Sequence, residues 1–475
     1  MRVLVMGLGL HGGGVESARY LIRGGAEVTV TDLRDEKILA PSLEKLGDAG
    51  AVRYVLGRHR MEDFERADMV LKNPGVPPDS PFLRAARRIE TDISLFLAAS
   101  PARLTAVTGS KGKSSTASAI QWVLRECRNQ GLLPGKSYFG GNITRSPLTF
   151  LESLGPQDDV VLELSSWQLG DLRGRIRSGR ALLKPRCAVI TSIMADHLNR
   201  YGTMENYVAD KRIIYQGQDH GDATIAADDD WGRSFLGETP GRPLIYGENP
   251  LPAGVAGGWL SGPEGPGYAL LPFGDRPVPG GDRIEVVPSR LLLPGRHQKK
   301  NLLAAALALL DLGLPPDLIR AALGTFPGIE HRLEFFYEKG GIRFYNDTAA
   351  TIPEAAAAAV AAFESGLVLV TGGTDKDLDF TPLARAAVRV KALVLLAGSG
   401  SDKLRALFEA GGIPYRGPFD SVDAAVKAAL EAASAGDTVV LSPGCASFGM
   451  FKNEFDRGQQ WKEAVIRLAA SQSPA

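Results

Sequence analysis

Residues 108–115, Thr-Gly-Ser-Lys-Gly-Lys-Ser-Ser, follow an apolar run at 104–107 and lead into a helical pattern at 115–126. A strand, a Gly-rich turn and a helix start, in that order, aim backbone N–H groups at one spot and hold a phosphate there. In this frame Lys113 reaches the terminal phosphates of a nucleoside triphosphate, and the Ser114 hydroxyl holds Mg²⁺. The full pattern opens with a Gly where this chain has Val107, so the loop is a compact T-G-x-x-G-K-S. A chance Gly-Lys-Ser in a turn is the competing reading, and the strand–turn–helix context argues against it.

A second Gly-rich turn, Gly7-Leu8-Gly9-Leu10-His11-Gly12, follows a first apolar strand, and Asp32 ends a second one. This is the layout of a dinucleotide fingerprint with its acidic ribose ligand. It reports a nucleotide's phosphates, not hydride chemistry. A dehydrogenase would account for residues up to Asp32 and for nothing after residue 100.

Further polar residues sit where apolar runs end. Glu163 and Ser165 close one run and offer a carboxylate and a hydroxyl to Mg²⁺, or a helix cap. Asp196-His197 follows another, and His197 is a metal ligand or a structural histidine. Lys211, read alone, is a solvated surface lysine. Arg332 follows Glu330-His331 and suits a phosphate clamp. Asp347, within Asn346-Asp347-Thr348, suits ribose or substrate. Lys376, in Gly-Gly-Thr-Asp-Lys, and Ser447, in Ser-Pro-Gly-Cys-Ala-Ser, also follow strand ends, and together suit an anionic group.

The elements that must position these residues alternate between strand and helix. Strands are expected at 2–6, 28–31 and 69–71 with a helix at 15–23, then strands at 104–107, 160–164 and 187–193. Helices are expected at 206–216 and 301–312, and 247–283 is a Gly/Pro-rich insert with short strands. From residue 326 onward strands at 343–345, 367–371, 392–397 and 438–442 alternate with helices at 353–364, 381–387, 401–410 and 422–433. The expected fold is α/β with three domains. They are a Rossmann-like domain at 1–98, a central P-loop ATPase-like domain with a mostly parallel sheet at 99–326, and a doubly wound Rossmann-like domain at 327–475.

The chain has 475 residues, 44% of them hydrophobic, and a formal net charge of zero, which argues against a nucleic-acid or membrane-surface partner. Three widely spaced cysteines fit a reducing cytoplasm better than a disulfide framework. The apolar start breaks at glycines too early for a signal peptide, and no apolar run reaches membrane-span length.

Taken together, several motifs resemble the Mur ligases of peptidoglycan synthesis. They are T-G-S-K-G-K-S-S at 108–115, E-L-S-S-W-Q-L at 163–169, D-H-L-N-R-Y at 196–201, G-R-H-Q-K-K-N at 295–301, H-R at 331–332, N-D-T-A-A-T at 346–351, G-G-T-D-K at 372–376 and L-S-P-G-C-A-S-F at 441–448. The resemblance runs from Gly7 to about Gly458 and is greatest to the member that joins D-glutamate to UDP-N-acetylmuramoyl-L-alanine. It implies an ATP- and Mg²⁺-dependent amide ligase working through an acyl phosphate and a tetrahedral intermediate. A cytoplasmic monomer without nucleic-acid or membrane partners is expected.

The resemblance also implies residue roles. Gly9, Leu10, His11, Asp32, Arg34, Asn73, Asn142 and Ser165 would hold the UDP-linked substrate. Gly109, Ser110, Lys111, Gly112, Lys113, Ser114, Ser115, Asn301, Arg332 and Asp347 would hold ATP. Ser114, Glu163 and His197 would bind metal, as would Lys211 once its amine has become a carbamate. Thr351, Lys376, Ser447 and Phe451 would hold the incoming amino acid. Lys113, Glu163, His197, Lys211 and Arg332 would form the catalytic set.

Two departures bear on the acceptor. Ala349 stands where the resemblance places a lysine, a cation that Lys111, where an asparagine is usual, would partly replace, and Glu454 stands where an aromatic residue often follows F-K-N. A ligase for another amino acid such as L-glutamate, and a non-catalytic UDP- and ATP-binding protein, are the alternatives. A folylpolyglutamate synthetase should lack the N-terminal domain.

Overall fold

Runs of aliphatic residues such as Leu367–Thr371 (LVLVT) are buried along their whole length, as strands covered by helices on both faces must be. The computed structural model describes every residue except 11, 48–49, 144, 253, 263–264, 271–282 and 471–475. The chain forms two compact units, Met1–Ser289 with Lys299–Leu323, and Arg290–Gln298 with Gly324–Ala475.

The first unit holds two major sheets. One is parallel, in the order Val52–Leu56, Glu27–Asp32, Arg2–Met6, Met69–Lys72, Ile89–Glu90. This order places the first Gly-rich turn, Asp32 and Asn73 at one edge, where strand order reverses and a ligand crevice opens. The other sheet has nine strands among the described residues. Its order is Ile284–Val287, Gly267–Leu270, Gly257–Leu260, Arg242–Gly247, Ala223–Ala227, Cys187–Ile190, Arg103–Thr108, Asp159–Glu163, Ser137–Gly141. It is parallel except where Gly267–Leu270 pairs antiparallel with Gly257–Leu260 and Ile284–Val287. The strand Arg103–Thr108 runs between Cys187–Ile190 and Asp159–Glu163, with Val107 opposite Glu163 and Thr108 opposite Ile190. The phosphate-loop motif therefore leaves the sheet with Glu163 on one side and the 191–197 segment on the other.

The second unit is built on the order Glu334–Lys339, Ile342–Asn346, Thr438–Leu441, Leu367–Thr371, Ala392–Leu396, Arg416–Phe419. It is parallel apart from the first hairpin. The late strand Thr438–Leu441 sits centrally, so the ends of three strands bring Asp347, Gly372 and Ser442 together.

Local structure departs from expectation in a few places. The helix expected at 115–126 spans Lys113–Asn129, because Gly112 takes a left-handed cap conformation and starts it at the motif lysine. The helix expected at 206–216 breaks at Arg212 into Met204–Lys211 and Ile213–Gln216. The helix expected at 301–312 begins earlier, as Arg296–Asp311. Helices Glu36–Leu46 and Glu454–Ala470 were not anticipated. Among the described residues, no helix is long and apolar enough to cross a membrane.

Candidate active site

The turn after Arg103–Thr108 is built by close packing that only glycine permits. A Cβ on Gly109, whose φ is +143°, would sit 1.9 Å from Thr191 Oγ1. That hydroxyl lies 3.1 Å from the Thr108 carbonyl and 2.6 Å from the Lys111 carbonyl, pinning the loop from the neighbouring strand end. Ser110 N donates to the Ser192 carbonyl at 2.9 Å, and Ser110 Oγ donates to the Met194 carbonyl at 2.9 Å. Gly109→Ala is thus expected to cost about 1–3 kcal/mol of stability from backbone strain alone. It should also weaken ATP binding severalfold. A calorimetric melt and a nucleotide titration of the variant check both effects.

Lys113 starts the helix, and its Nζ lies 3.1 Å from the Ser110 carbonyl, so the ammonium folds back over the loop. Ser114 and Ser115 follow on the first turn, half-buried, while Lys111 is exposed. Asn301 lies against the loop from the helix Arg296–Asp311, and its backbone carbonyl accepts from Thr116 Oγ1 at 3.3 Å.

Glu163 is 1% exposed. Asn142 Nδ2 donates to its Oε1 at 2.9 Å, yet its Oε2 is buried with no hydrogen-bond partner among the described residues. An orphaned buried carboxylate oxygen is costly and calls for a ligand. A carboxylate oxygen without a partner is a donor that fits Mg²⁺, and Ser114 follows Lys113 on the first turn of the helix that the phosphate loop starts. Ser165 is the N-cap of the helix Ser166–Gly170 in a full capping box, so its hydroxyl serves that helix locally.

His197 adopts a left-handed backbone (φ 52°), and its ring packs 5.2 Å from the Trp167 ring. Lys211 corrects the reading of a solvated lysine, since it is 1% exposed. The sheet and the helix Met204–Lys211 close over it; its Nζ donates to the Gly109 carbonyl at 2.8 Å and lies 4.6 Å from the centre of the Tyr207 ring. Burial pushes its pKa down to about 7, helped by Lys113 and opposed by Asp196 and Asp210. A neutral amine is therefore far more accessible at neutral pH here than on a solvated lysine.

A cavity of about 1280 Å³ joins this loop to the edge of the five-stranded sheet. Gly9, Leu10, Asp32, Arg34, Asn73, Gly109, Lys113, Asn142, Ser165, His197 and Lys211 all line it. Asp32 accepts from Gly9 N at 3.2 Å and Arg34 N at 3.0 Å, which shapes the first turn. Asn73 donates to the Gly7 carbonyl at 3.3 Å and accepts from Gly75 N at 3.0 Å. His11 lies outside the described residues.

In the second unit, Arg332 lies between two residues with left-handed backbone, His331 (φ 68°) and Leu333 (φ 43°). Such strain clusters at functional positions. Asp347 accepts from Leu333 N at 3.1 Å and Ser442 Oγ at 2.6 Å. Burial lifts its pKa to about 6, against the pull of Ser442, Leu333 N and Arg332. The loops carrying Lys376 and Ser447 are zipped together. Thr374 N donates to the Ala446 carbonyl at 3.0 Å, Ala446 N returns the bond at 2.9 Å, and the Lys376 ammonium lies 5.4 Å from the Phe448 ring. Phe451 N donates to the Ser447 carbonyl at 3.2 Å, and Thr351 follows the Asp347 turn.

Sequence reasoning missed Arg457. Its guanidinium is buried and bonds Thr348 Oγ1 at 3.0 Å, the Thr348 carbonyl at 3.0 Å and the Cys445 carbonyl at 3.2 Å, tying two of these loops together. Thr191 and Tyr207, whose hydroxyl lies 2.9 Å from Ser110 Oγ, were also missed. Neither sits in a motif, so no sequence signal marked them.

Three family matches follow one another along the chain. The MurD-like N-terminal domain of Mur ligases matches residues 1–94, the Mur ligase middle domain 107–258, and the glutamate ligase domain 331–445. A UDP-N-acetylmuramoylalanine--D-glutamate ligase of Treponema pallidum (strain Nichols) is 41% identical, over 98% of this chain and 97% of that protein. One from Roseiflexus sp. (strain RS-1) is 42% identical, over 98% of each. The fold is similar to that of the UDP-N-acetylmuramate-alanine ligase MurC of Thermotoga maritima. Its TM-score is 0.56 at 17% identity, over 99% of this chain and 100% of that one. With near full-length relatives above 40% identity and all three domain matches in order, this chain belongs to the Mur ligase family.

Proposed function

We propose that the chain joins D-glutamate to UDP-N-acetylmuramoyl-L-alanine at the expense of ATP, in cytoplasmic peptidoglycan precursor synthesis and hence in cell growth and division. The observation that carries this reading is one cavity lined both by the first Gly turn with Asp32 and by the phosphate loop with Lys113. A nucleotide-linked substrate and a nucleoside triphosphate meeting there is what an ATP-driven ligase of such a substrate needs. The relatives named for this activity support the choice of substrate and amino acid.

The chemistry follows from the groups. A carboxylate oxygen of the alanyl end attacks the γ-phosphorus, the bond to ADP breaks, and an acyl phosphate results. The neutral amine of glutamate attacks the acyl carbon, a tetrahedral intermediate forms, phosphate leaves, and the ammonium proton passes to solvent. Lys113 and the loop N–H groups bear the charge that builds on the phosphates. Mg²⁺, when bound by Ser114, Glu163 and His197, supplies Lewis-acid polarisation of the phosphoryl oxygens. Gly9, Leu10, His11, Asp32, Arg34, Asn73, Asn142 and Ser165 hold the UDP-linked substrate. Asn301, Arg332 and Asp347 contact ATP, and Thr351, Lys376, Ser447 and Phe451 hold glutamate. The working domains are 1–98, 99–326 and 327–475.

An ammonium repels a metal ion, so Lys211 joins the metal set only as a carbamate. Its lone pair attacks CO₂, an N–C bond forms, and a proton leaves to solvent. An amine held near pKa 7 has that lone pair available at neutral pH.

The test is phosphate release with ATP, Mg²⁺ and UDP-N-acetylmuramoyl-L-alanine across a panel of amino acids. D-glutamate should support turnover at least tenfold above L-glutamate and L-lysine. Turnover with L-glutamate instead would assign a different acceptor, and release with none would leave a binding protein.

A further inference from the structure

The cavity wall contains a cation that neither nucleotide motif explains. Lys72 ends the strand Met69–Lys72, opposite Met6 in register, and so stands beside the first Gly-rich turn. It is 3% exposed yet lines the cavity. Its Nζ donates to Asp171 Oδ2 at 2.7 Å and reaches the Asn73 carbonyl at 3.4 Å. Asp171 lies at the end of the helix Ser166–Gly170, so the pair spans the junction between the two sheets of this unit.

Burying an ion pair costs desolvation of both partners, and an apolar pair of the same size would often be as stable. Stability alone is therefore a poor reason for this one. Asp171 also faces Arg175 and Arg200, and Arg175 in turn bonds Glu90 at 2.8 Å. Arg88 also pairs with Glu90, and the buried Asp92 lies close to Asp171, so Lys72 is one of four cations set among three carboxylates at this wall. An ammonium has three N–H donors. One is committed to Asp171 and one makes a long contact to Asn73, so a donor remains for the cavity. The adjacent turn and the start of the helix Gly13–Arg23 form a backbone anion site.

We propose that Lys72 binds the diphosphate of the nucleotide-linked substrate, with Asp171 as the tether that aims its ammonium into the cavity. This rests on the reading of the cavity as the site of a nucleoside-diphosphate ligand.

The test is a binding titration of the full chain with UDP and, separately, with uridine, which lacks the diphosphate. Lys72→Met should weaken UDP binding about tenfold to a hundredfold, as loss of a charge-assisted hydrogen bond does, and leave uridine binding unchanged. Lys72→Arg should keep most of the UDP affinity. Lys72→Met strands Asp171, so the double variant K72M/D171N controls for folding and should show the same selective loss. Equal losses for UDP and uridine, or unchanged UDP binding, would overturn the role of Lys72. Failure of the unmodified chain to bind UDP while it binds ATP would overturn the reading of the cavity itself.

Discussion

Lys211→Ala is expected to lower ATP-dependent phosphate release at least a hundredfold, and acetate added to the assay should restore part of it. The lysine is buried under the phosphate loop and bonded to the Gly109 carbonyl, and burial lowers its pKa to about 7. If its task is structural, acetate will change nothing, because a small carboxylate cannot restore a hydrogen bond to a carbonyl. If its task is to become an anion beside the metal, a carboxylate in the vacated space supplies that charge. The pH sign follows from the lowered pKa. The amine is neutral above about 7, so activation of the unmodified enzyme by bicarbonate should strengthen as pH rises through that value. An alanine variant with full activity would remove the carbamate from the mechanism.

Glu163→Gln should show activity and stability moving in opposite directions. The carboxylate is buried, one oxygen holds Asn142 at 2.9 Å, and the other has no partner among the described residues. Glutamine keeps the shape and can still accept from Asn142. It removes a buried charge whose burial costs several kcal/mol when uncompensated, so the melting temperature should rise. It also removes the anionic metal ligand. Turnover should fall about a hundredfold to a thousandfold, and the Mg²⁺ needed for half activity should increase. Phosphate release, a Mg²⁺ titration and a thermal melt measure the three effects. A variant that loses stability along with activity would show that Glu163 serves packing instead.

Both residues illustrate how far local pattern reaches. Glu163 was legible because it ends an apolar strand next to a phosphate loop in an α/β alternation, and strand ends of one sheet share an edge. The alternation itself was legible for most strands, since buried parallel strands are continuous aliphatic runs. The helix Glu454–Ala470 escaped notice, and with it Arg457. Arg457 lies more than a hundred residues from Thr348, to which it bonds, and spacing carries no information over that distance.

The sequence by itself determined the strand–turn–helix order, the compact phosphate loop, the second Gly turn with Asp32, and a resemblance that orders the motifs into three domains. These are local or ordered features, written in residue type and spacing. Only the tertiary structure decided that Lys211 is buried with its pKa lowered, that one Glu163 oxygen has no partner among the described residues, that Thr191 closes the Gly109 turn, and that Lys72 meets Asp171 at the cavity wall. Burial, pKa and pairing depend on which distant segments exclude water from a group. Strand order sets that, and neighbours in the chain do not.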